Sequence, residues 1–229
     1  MKESIDAARA EEKASRPRTS LLWVGGAIAA AVLVLAVNGT LSAWTSAVLT
    51  NDTNTVATVS AVILKEVGPS AATCLSSSGL NNSFTCSTVN KYGGTTTPLS
   101  PGGNQTVDVV FTNAGASPAS SFVLTTGACS QSPIAGSGTP PVANVCTNAD
   151  LTVAISCSNG ATYAAGSAWT DLVQTAAAPS SIPATLTHTA TMAAAAQFTC
   201  RFTVVLGGSA SVLDQGVTVS QPLTWTLNK

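Results

Sequence analysis

The sequence changes character near residue 43, and this change limits what the chain can fold into. Nine of the nineteen charged residues lie between Lys2 and Arg18, and an apolar run follows them. The remainder is rich in Thr, Ser and Ala, carries few charges and contains all six cysteines. This order predicts an N-terminal segment of residues 1–43 followed by one extracellular domain of residues 44–229.

The N-terminal segment has the layout of an export signal. Leu21–Val37 are seventeen residues without a polar side chain. Lys13, Arg16 and Arg18 precede them. As a helix this run would be about 25 Å long, slightly short of a hydrocarbon core of about 30 Å. It fits either a signal peptide that signal peptidase cleaves near Ala43 or a retained transmembrane anchor. Both alternatives place the domain outside the cytoplasm, secreted or at the cell surface.

The cysteines favour an exported domain as well. Their number is even, no pair has CxxC spacing, and the chain has a single histidine. Exported chains with this usage form disulfide bonds, and the spacing does not favour a zinc site. Six cysteines allow fifteen pairings, which the sequence alone leaves open. We adopt the sequential pairing as a hypothesis: Cys74–Cys86, Cys129–Cys146 and Cys157–Cys200.

Short segments with the period of a β-strand predict an all-β fold. The candidate strands are Asn54–Leu64, Val107–Asn113, Ser121–Thr126, Leu151–Ser156, Leu186–Met192, Phe198–Leu206 and a stretch that includes Val217, Val219, Leu223 and Trp225. Met192–Ala196 could instead form a short helical turn. Turn-forming Gly, Pro and Asn clusters separate the strands, and Gly68–Thr97 and Ser130–Pro141 are interpreted as loops. The sequence therefore predicts an antiparallel jelly-roll or immunoglobulin-like sandwich, preceded by the N-terminal signal or transmembrane helix.

Few residues are suited to catalysis. The sequence contains no HExxH, no GxSxG and no phosphate-binding glycine loop. His188 is interpreted as a surface residue of a strand, and Asp108 as pointing to solvent. Asp150, Asp171 and Asp214 lie near predicted turns or element starts, where they are expected to cap these elements or to bond the backbone. The sequence predicts neither an enzyme nor a cofactor, and the sparse charge predicts no binding to nucleic acid.

The end of the apolar run has a recognisable layout. Gly39-Thr40 end the run, Ala43-Trp44 supply a small residue and an aromatic one, and Val59–Leu64 follow as a strand. This layout resembles the SipW-type signal peptide and mature start of the TasA/camelysin family of exported bacterial proteins. Ser46 departs from the acidic residue that the family often has, and six cysteines are more than its fibre needs.

The resemblance implies a jelly-roll-like fibre subunit of the cell surface or biofilm matrix. Subunits would join head to tail when the N-terminal strand of one, Trp44–Leu64, inserts into the next. The residues assigned to this interaction strand are Trp44, Val48, Leu49, Val56, Val59 and Ile63. One alternative is that the strand pairs within its own domain. Another is a membrane-tethered monomer that binds a ligand or glycan through Gly68–Thr97 and Ser130–Pro141.

Overall fold

Eleven β-strands make up the regular structure of the described residues, which are Thr55, Thr58 and residues 60–229 of a computed structural model. The strands are β1 (Leu64–Val67), β2 (Thr73–Leu75), β3 (Asn104–Asn113), β4 (Ala119–Thr126), β5 (Ser130–Ser132), β6 (Leu151–Asn159), β7 (Ala168–Ala177), β8 (Thr185–Met192), β9 (Gln197–Leu206), β10 (Thr218–Ser220) and β11 (Leu223–Asn228). Short 3-10 turns are the only helical elements over this range. The all-β prediction is confirmed, whereas the predicted N-terminal helix lies outside the described residues.

The strands form two packed sheets and a small ribbon. The large sheet has six strands in the order β2-β1-β3-β9-β6-β7, and the small sheet has three in the order β11-β4-β8. β10 and β5 form the ribbon. Every neighbouring pair is antiparallel. This is the antiparallel sandwich that the alternating sequence pattern predicts.

An aromatic cluster fills the space between the sheets. Phe111 and Phe198 come from the large sheet and Phe122 from the small one, and all three are at most 1% exposed. The ring centroids of Phe122 and Phe198 are 4.5 Å apart, and Trp225 stacks on Phe122 at 5.0 Å. Each buried aromatic ring removes about 150–250 Å² from water, so this cluster dominates the packing between the sheets.

Five of the predicted strands are confirmed. They are Val107–Asn113, Ser121–Thr126, Leu151–Ser156, Leu186–Met192 and Phe198–Leu206, which lie within β3, β4, β6, β8 and β9. The residues after Met192 form a tight turn, in which Ala195 has a positive φ of 63°. The helical turn considered for Met192–Ala196 is therefore wrong, because a left-handed residue cannot continue a right-handed helix.

The strand predicted over Asn54–Leu64 is described only in part, since residues 54, 56, 57 and 59 lie outside the described residues. In the described part of that range only Leu64 belongs to a strand, β1, which continues to Val67. The backbone before it bonds with the connection between β3 and β4: Ala114 N donates to Ile63 O at 2.7 Å, and Ser117 Oγ donates to Ser60 O at 2.6 Å. These bonds to a loop replace the ladder that the alternating pattern predicts.

The C-terminal strand and β7 differ from expectation for local reasons. Gln221-Pro222 divide the predicted stretch into β10 and β11, which belong to different sheets. Proline has no N–H to donate to a ladder. β7 was not predicted, because a register shift lets Trp169 and Leu172 both face the core at a spacing of three residues. Such a bulge hides the period of two that marks a strand.

The three disulfide bonds follow the sequential pairing. Cys74 bonds to Cys86, Cys129 to Cys146 and Cys157 to Cys200. Cys157 and Cys200 are directly opposite each other on β6 and β9, and both are fully buried. This bond therefore joins neighbouring strands within the large sheet rather than linking the two sheets.

Candidate functional site

Among the described residues, the sandwich has an opening along the outer edge of β11. β11 pairs with β4 on one side, and between residues 60 and 229 no strand pairs with its other side. The small sheet therefore ends at β11, while the opposing sheet continues through β3 to β1 and β2. An uncovered edge strand presents backbone N–H and C=O groups that can pair with another extended chain.

A groove of about 1130 Å³ runs along this edge. Every residue from Gln215 to Leu227 lines it, together with parts of β1, β2 and β9 and the segment of residues 82–99. Apolar side chains that line it include Leu64, Val89, Val204, Val219, Leu223 and Leu227. Its volume slightly exceeds the roughly 300–1,000 Å³ of small-molecule pockets. Its shape and lining suit an extended apolar segment.

Two polar contacts hold the wall opposite β11 in place. Lys91 forms an ion pair with Glu66 of β1, and both side chains are about nine-tenths buried. The hydroxyl of Tyr92 donates to Gln221 Oε1 at 2.7 Å. Burial raises the pKa of Tyr92 well above its usual value, so the phenol stays protonated and remains a donor. These contacts tie residues 91 and 92 to β1 and to the start of β11.

The disulfide Cys74–Cys86 anchors the same wall. It joins β2 to the irregular segment that follows, and both cysteines line the groove. Gly68–Thr97 is thus a loop-rich region as predicted, apart from the short strand β2. The other predicted loop, Ser130–Pro141, begins with strand β5 and does not line the groove. The structure therefore brings only one of the two candidate binding loops to this site.

The chain reaches the domain at one end of the groove. Ser60 O lies 3.5 Å from Nζ of Lys229, the residue that follows β11. Ala61, Val62 and Ile63 then pass so close to Gly115 that a Cβ there would lie 2.3 Å from Ala61 O. Gly115 is therefore required by this close approach.

The predicted interaction strand is only partly described. Trp44, Val48, Leu49, Val56 and Val59 lie outside the described residues. Ile63 is half-buried in its own domain, and its carbonyl group bonds to Ala114. Lys91, Tyr92 and Gln221, which shape the groove, were not singled out from the sequence. No local pattern marks them, because their partners are far away along the chain.

His188 is less exposed than its sequence context suggests. Its ring stacks on Trp169 with centroids 3.6 Å apart, and its Nδ1 donates to Asp171 Oδ1 at 2.7 Å. The His188 side chain is 13% exposed. The expectation of a surface residue is wrong, because β7 of the large sheet covers it. Asp171 lies inside β7 rather than near a turn, although its carboxylate accepts from the backbone N of Thr189, a backbone bond of the kind expected.

The remaining acidic residues have structural contacts. Asp108 forms a two-pronged ion pair with Arg201 on the outer face of the large sheet. Asp214 caps a 3-10 turn as predicted, by accepting from the backbone N of Ser211 at 3.0 Å. Burial raises the pKa of Asp214, and the neighbouring carboxylate of Asp150 adds to the shift. Within the described residues, no three His, Cys, Asp or Glu side chains come together as a metal site would require.

The structure and the comparisons with known proteins give limited information about the cellular compartment and the protein family. None of their helices is long and apolar enough to cross a membrane, and Leu21–Val37 lie outside them. Three intramolecular disulfides are typical of proteins that fold in an oxidising compartment. No model of a known protein family matches the chain, and no curated protein is similar to it. The TasA/camelysin resemblance therefore stays a prediction from the N-terminal residues.

Proposed function

We propose that this protein is an exported structural protein of the cell surface or biofilm matrix, without enzymatic activity, whose subunits assemble by strand donation. The N-terminal strand of one subunit would lie in the groove beside β11 of the next. The observation that carries this proposal is the outer edge of β11, which no strand of residues 60–229 covers, beside an apolar groove. A donated strand would pair with that edge and fill the groove with its alternate side chains.

The donor segment is narrower than the sequence suggests. Because Ser60–Ile63 bond with the loop between β3 and β4, the part left to donate is Trp44–Val59. Ser60 lies beside the C-terminal end of β11. If the residues before Ser60 entered the groove of their own domain directly, without a turn, they would therefore run parallel to β11. A segment from another subunit has no such restriction and can pair antiparallel, the more stable arrangement.

Export is part of the proposal. The charge-poor domain, the three disulfides and the apolar run of the leader support it. The partners would be the export machinery and signal peptidase, followed by further copies of the same chain. A leader that is not cleaved would anchor the domain in the membrane. Nucleic acid is not among the proposed partners, since the domain carries few basic residues.

Electron microscopy of the purified, oxidised protein beginning at Trp44 tests the assembly. We expect filaments from this chain and monomers from a variant that lacks residues 44–52. Val219→Lys places a charge in the groove and should also prevent filaments, whereas Thr106→Lys, on the exposed outer face of the large sheet, should not. Thermal unfolding verifies that each variant is folded.

Two outcomes contradict the proposal. The first is that the variant lacking residues 44–52 polymerises as well as the parent chain. The second is that the protein isolated from its source stays monomeric and retains its leader. The second outcome favours the membrane-tethered monomer, in which the groove lined by residues 82–99 would hold a ligand or glycan instead of a strand.

A further inference from the structure

The outer face of the three-stranded sheet is a regular array of threonines. Alternation along β4, β8 and β11 points ten side chains away from the core. Seven are threonines, and the others are Ser121, Val123 and Asn228. None of the ten is charged or aromatic. β8 alone contributes four threonines in the pattern T-L-T-H-T-A-T, all of them exposed.

The register of the sheet aligns these side chains in rows across the strands. Thr224, Thr125 and Thr185 form one row. Thr226 and Thr187 stand on either side of Val123 in the next. Rows of this kind repeat about every 4.8 Å across the strands and about every 6.7 Å along them. The face is therefore a two-dimensional grid of methyl and hydroxyl groups.

The other outer face of the sandwich differs in character. The large sheet carries the Asp108–Arg201 ion pair there, and the guanidinium group of Arg201 lies 4.4 Å from the ring centre of Tyr163. Lys65 of β1 is a further charge on this sheet, beside the half-buried Thr112. Of the two outer sheet faces, that of the large sheet therefore carries these charges and the threonine face carries none.

The chemistry of the threonine face excludes several classes of partner. Protein interfaces are enriched in aromatic residues, Met and Arg, and this face has none of them. Without positive charge it does not suit phosphate groups. Without aromatic rings it lacks the flat apolar surfaces on which sugar rings stack. The class of partner that this face does suit is a neutral ligand that presents a regular lattice of hydrogen bonds.

We propose that this face binds ice. A threonine on a strand is restricted at χ1, so its methyl and hydroxyl groups are held in nearly fixed directions. The hydroxyl groups both donate and accept, as water molecules in ice do, and the methyl groups favour cage-like order in the water between them. Water molecules ordered on this grid have already lost much of their entropy. They therefore lose little more when they become part of the ice crystal.

The size and twist of the sheet set the kind of activity expected. Three strands accumulate about 40–50° of twist, so the match to a flat crystal face extends over only a few side chains. Binding of this extent slows the growth of large ice crystals at the expense of small ones. We therefore expect inhibition of ice recrystallisation and changed crystal shape, with a small depression of the freezing point.

Ice recrystallisation and crystal shape, measured with the purified oxidised protein, test the proposal. Thr187→Lys and Thr226→Lys each place a charge in the central row. We expect each to raise the concentration for half-inhibition about tenfold or more, since desolvating a lysine costs more than the ~1.4 kcal/mol that corresponds to a factor of ten. Thr106→Lys makes the same change on the charged face and should leave the activity unchanged.

The result can overturn the proposal in three ways. The parent protein shows no effect on ice, or the lysine variants inhibit as well as the parent, or Thr106→Lys loses as much activity as they do. Exposed strand substitutions of this kind are expected to leave the fold intact, and thermal unfolding verifies it. If Thr187→Lys does not fold, Thr185→Lys on the edge strand β8 gives the same test. Filament formation is measured separately, because Thr226 also lines the groove, whereas Thr187 does not.

Discussion

Asn113 shows how much one polar residue contributes to this fold. It ends β3, is fully buried, and uses both ends of its amide group. Nδ2 donates to Ser117 O at 2.8 Å and to Met192 O at 3.1 Å, while Oδ1 accepts from Gly115 N at 3.2 Å. Asn113 therefore connects the loop after β3 to the turn between β8 and β9. The sequence pattern predicts it only as the last residue of a strand, next to a turn, and does not indicate these bonds.

Replacing Asn113 by Ala should destabilise the protein strongly. The substitution leaves buried backbone groups without partners, which costs about 2–3 kcal/mol. Urea unfolding should show a lower midpoint with an unchanged slope. Asn104→Ala, at the exposed start of the same strand, is the control and should change stability by about 0.5 kcal/mol or less. Equal effects of the two substitutions would contradict the role assigned to Asn113.

At the scale of elements, the two sides of the sandwich are closed differently. On one side, β7 and β8 bring together Trp169, His188 and Asp171, which join the large sheet to the small one. Asp171 also accepts from the backbone N of Thr189 at 3.1 Å. On the other side, no strand of residues 60–229 covers β11 or fills the groove beside it. That side therefore offers room for an added strand.

Removing the carboxylate of Asp171 should weaken the closed side in a pH-dependent way. Burial opposes ionisation of Asp171, but the hydrogen bonds from His188 and Thr189 outweigh it and hold its pKa below the usual value. A carboxyl group whose pKa is lower in the folded protein than in the unfolded chain stabilises the folded state at pH values above the unfolded pKa. This stabilisation is lost as the pH falls through the pKa of the folded protein. Asp171→Asn should therefore cost about 0.5–1 kcal/mol at pH near 6, after screening of a half-exposed group, and less at pH near 3.

Urea unfolding at both pH values measures this difference. Thr170→Ala, an exposed change on the same strand, should have the same small effect at each pH. A cost of Asp171→Asn that is independent of pH would show that the carboxylate charge does not contribute.

For the whole molecule, covalent bonds supplement a core of moderate size. The disulfides close separations of 12, 17 and 43 residues and are distributed over the groove wall, the loop after β4 and the centre of the large sheet. Bonds that close loops of this size contribute about 2–4 kcal/mol each by limiting the unfolded chain. Their sum is comparable to the total stability of a typical domain.

Reduction should therefore destabilise the whole domain. We expect Tm to fall by roughly 20 °C or more when all three bonds are reduced. Calorimetry with and without a reductant measures the shift, and mass spectrometry of alkylated protein verifies that the thiols are free. An unchanged Tm in fully reduced protein would show that the core suffices by itself.

The strands and disulfides illustrate what could be predicted. β3 and β9 are evident from alternate buried residues, because the period of a strand is a local property. β7 was missed because a bulge disturbs that period, and the extent of β1 because bonds to a loop replaced a ladder. The sequential disulfide pairing agreed with the structure, although the sequence left the other pairings open.

Composition, alternation and turn residues were enough to predict an all-β sandwich with three disulfide bonds, since each of these signals can be read directly from the sequence without knowledge of distant contacts. Which strand lies at an open edge was decided only by the tertiary structure. The groove depends on contacts such as that of Tyr92 with Gln221, 129 residues apart. The threonine grid likewise depends on the register of three strands that are distant in sequence. No local pattern encodes such contacts, because they arise only when the packed core brings the strands together.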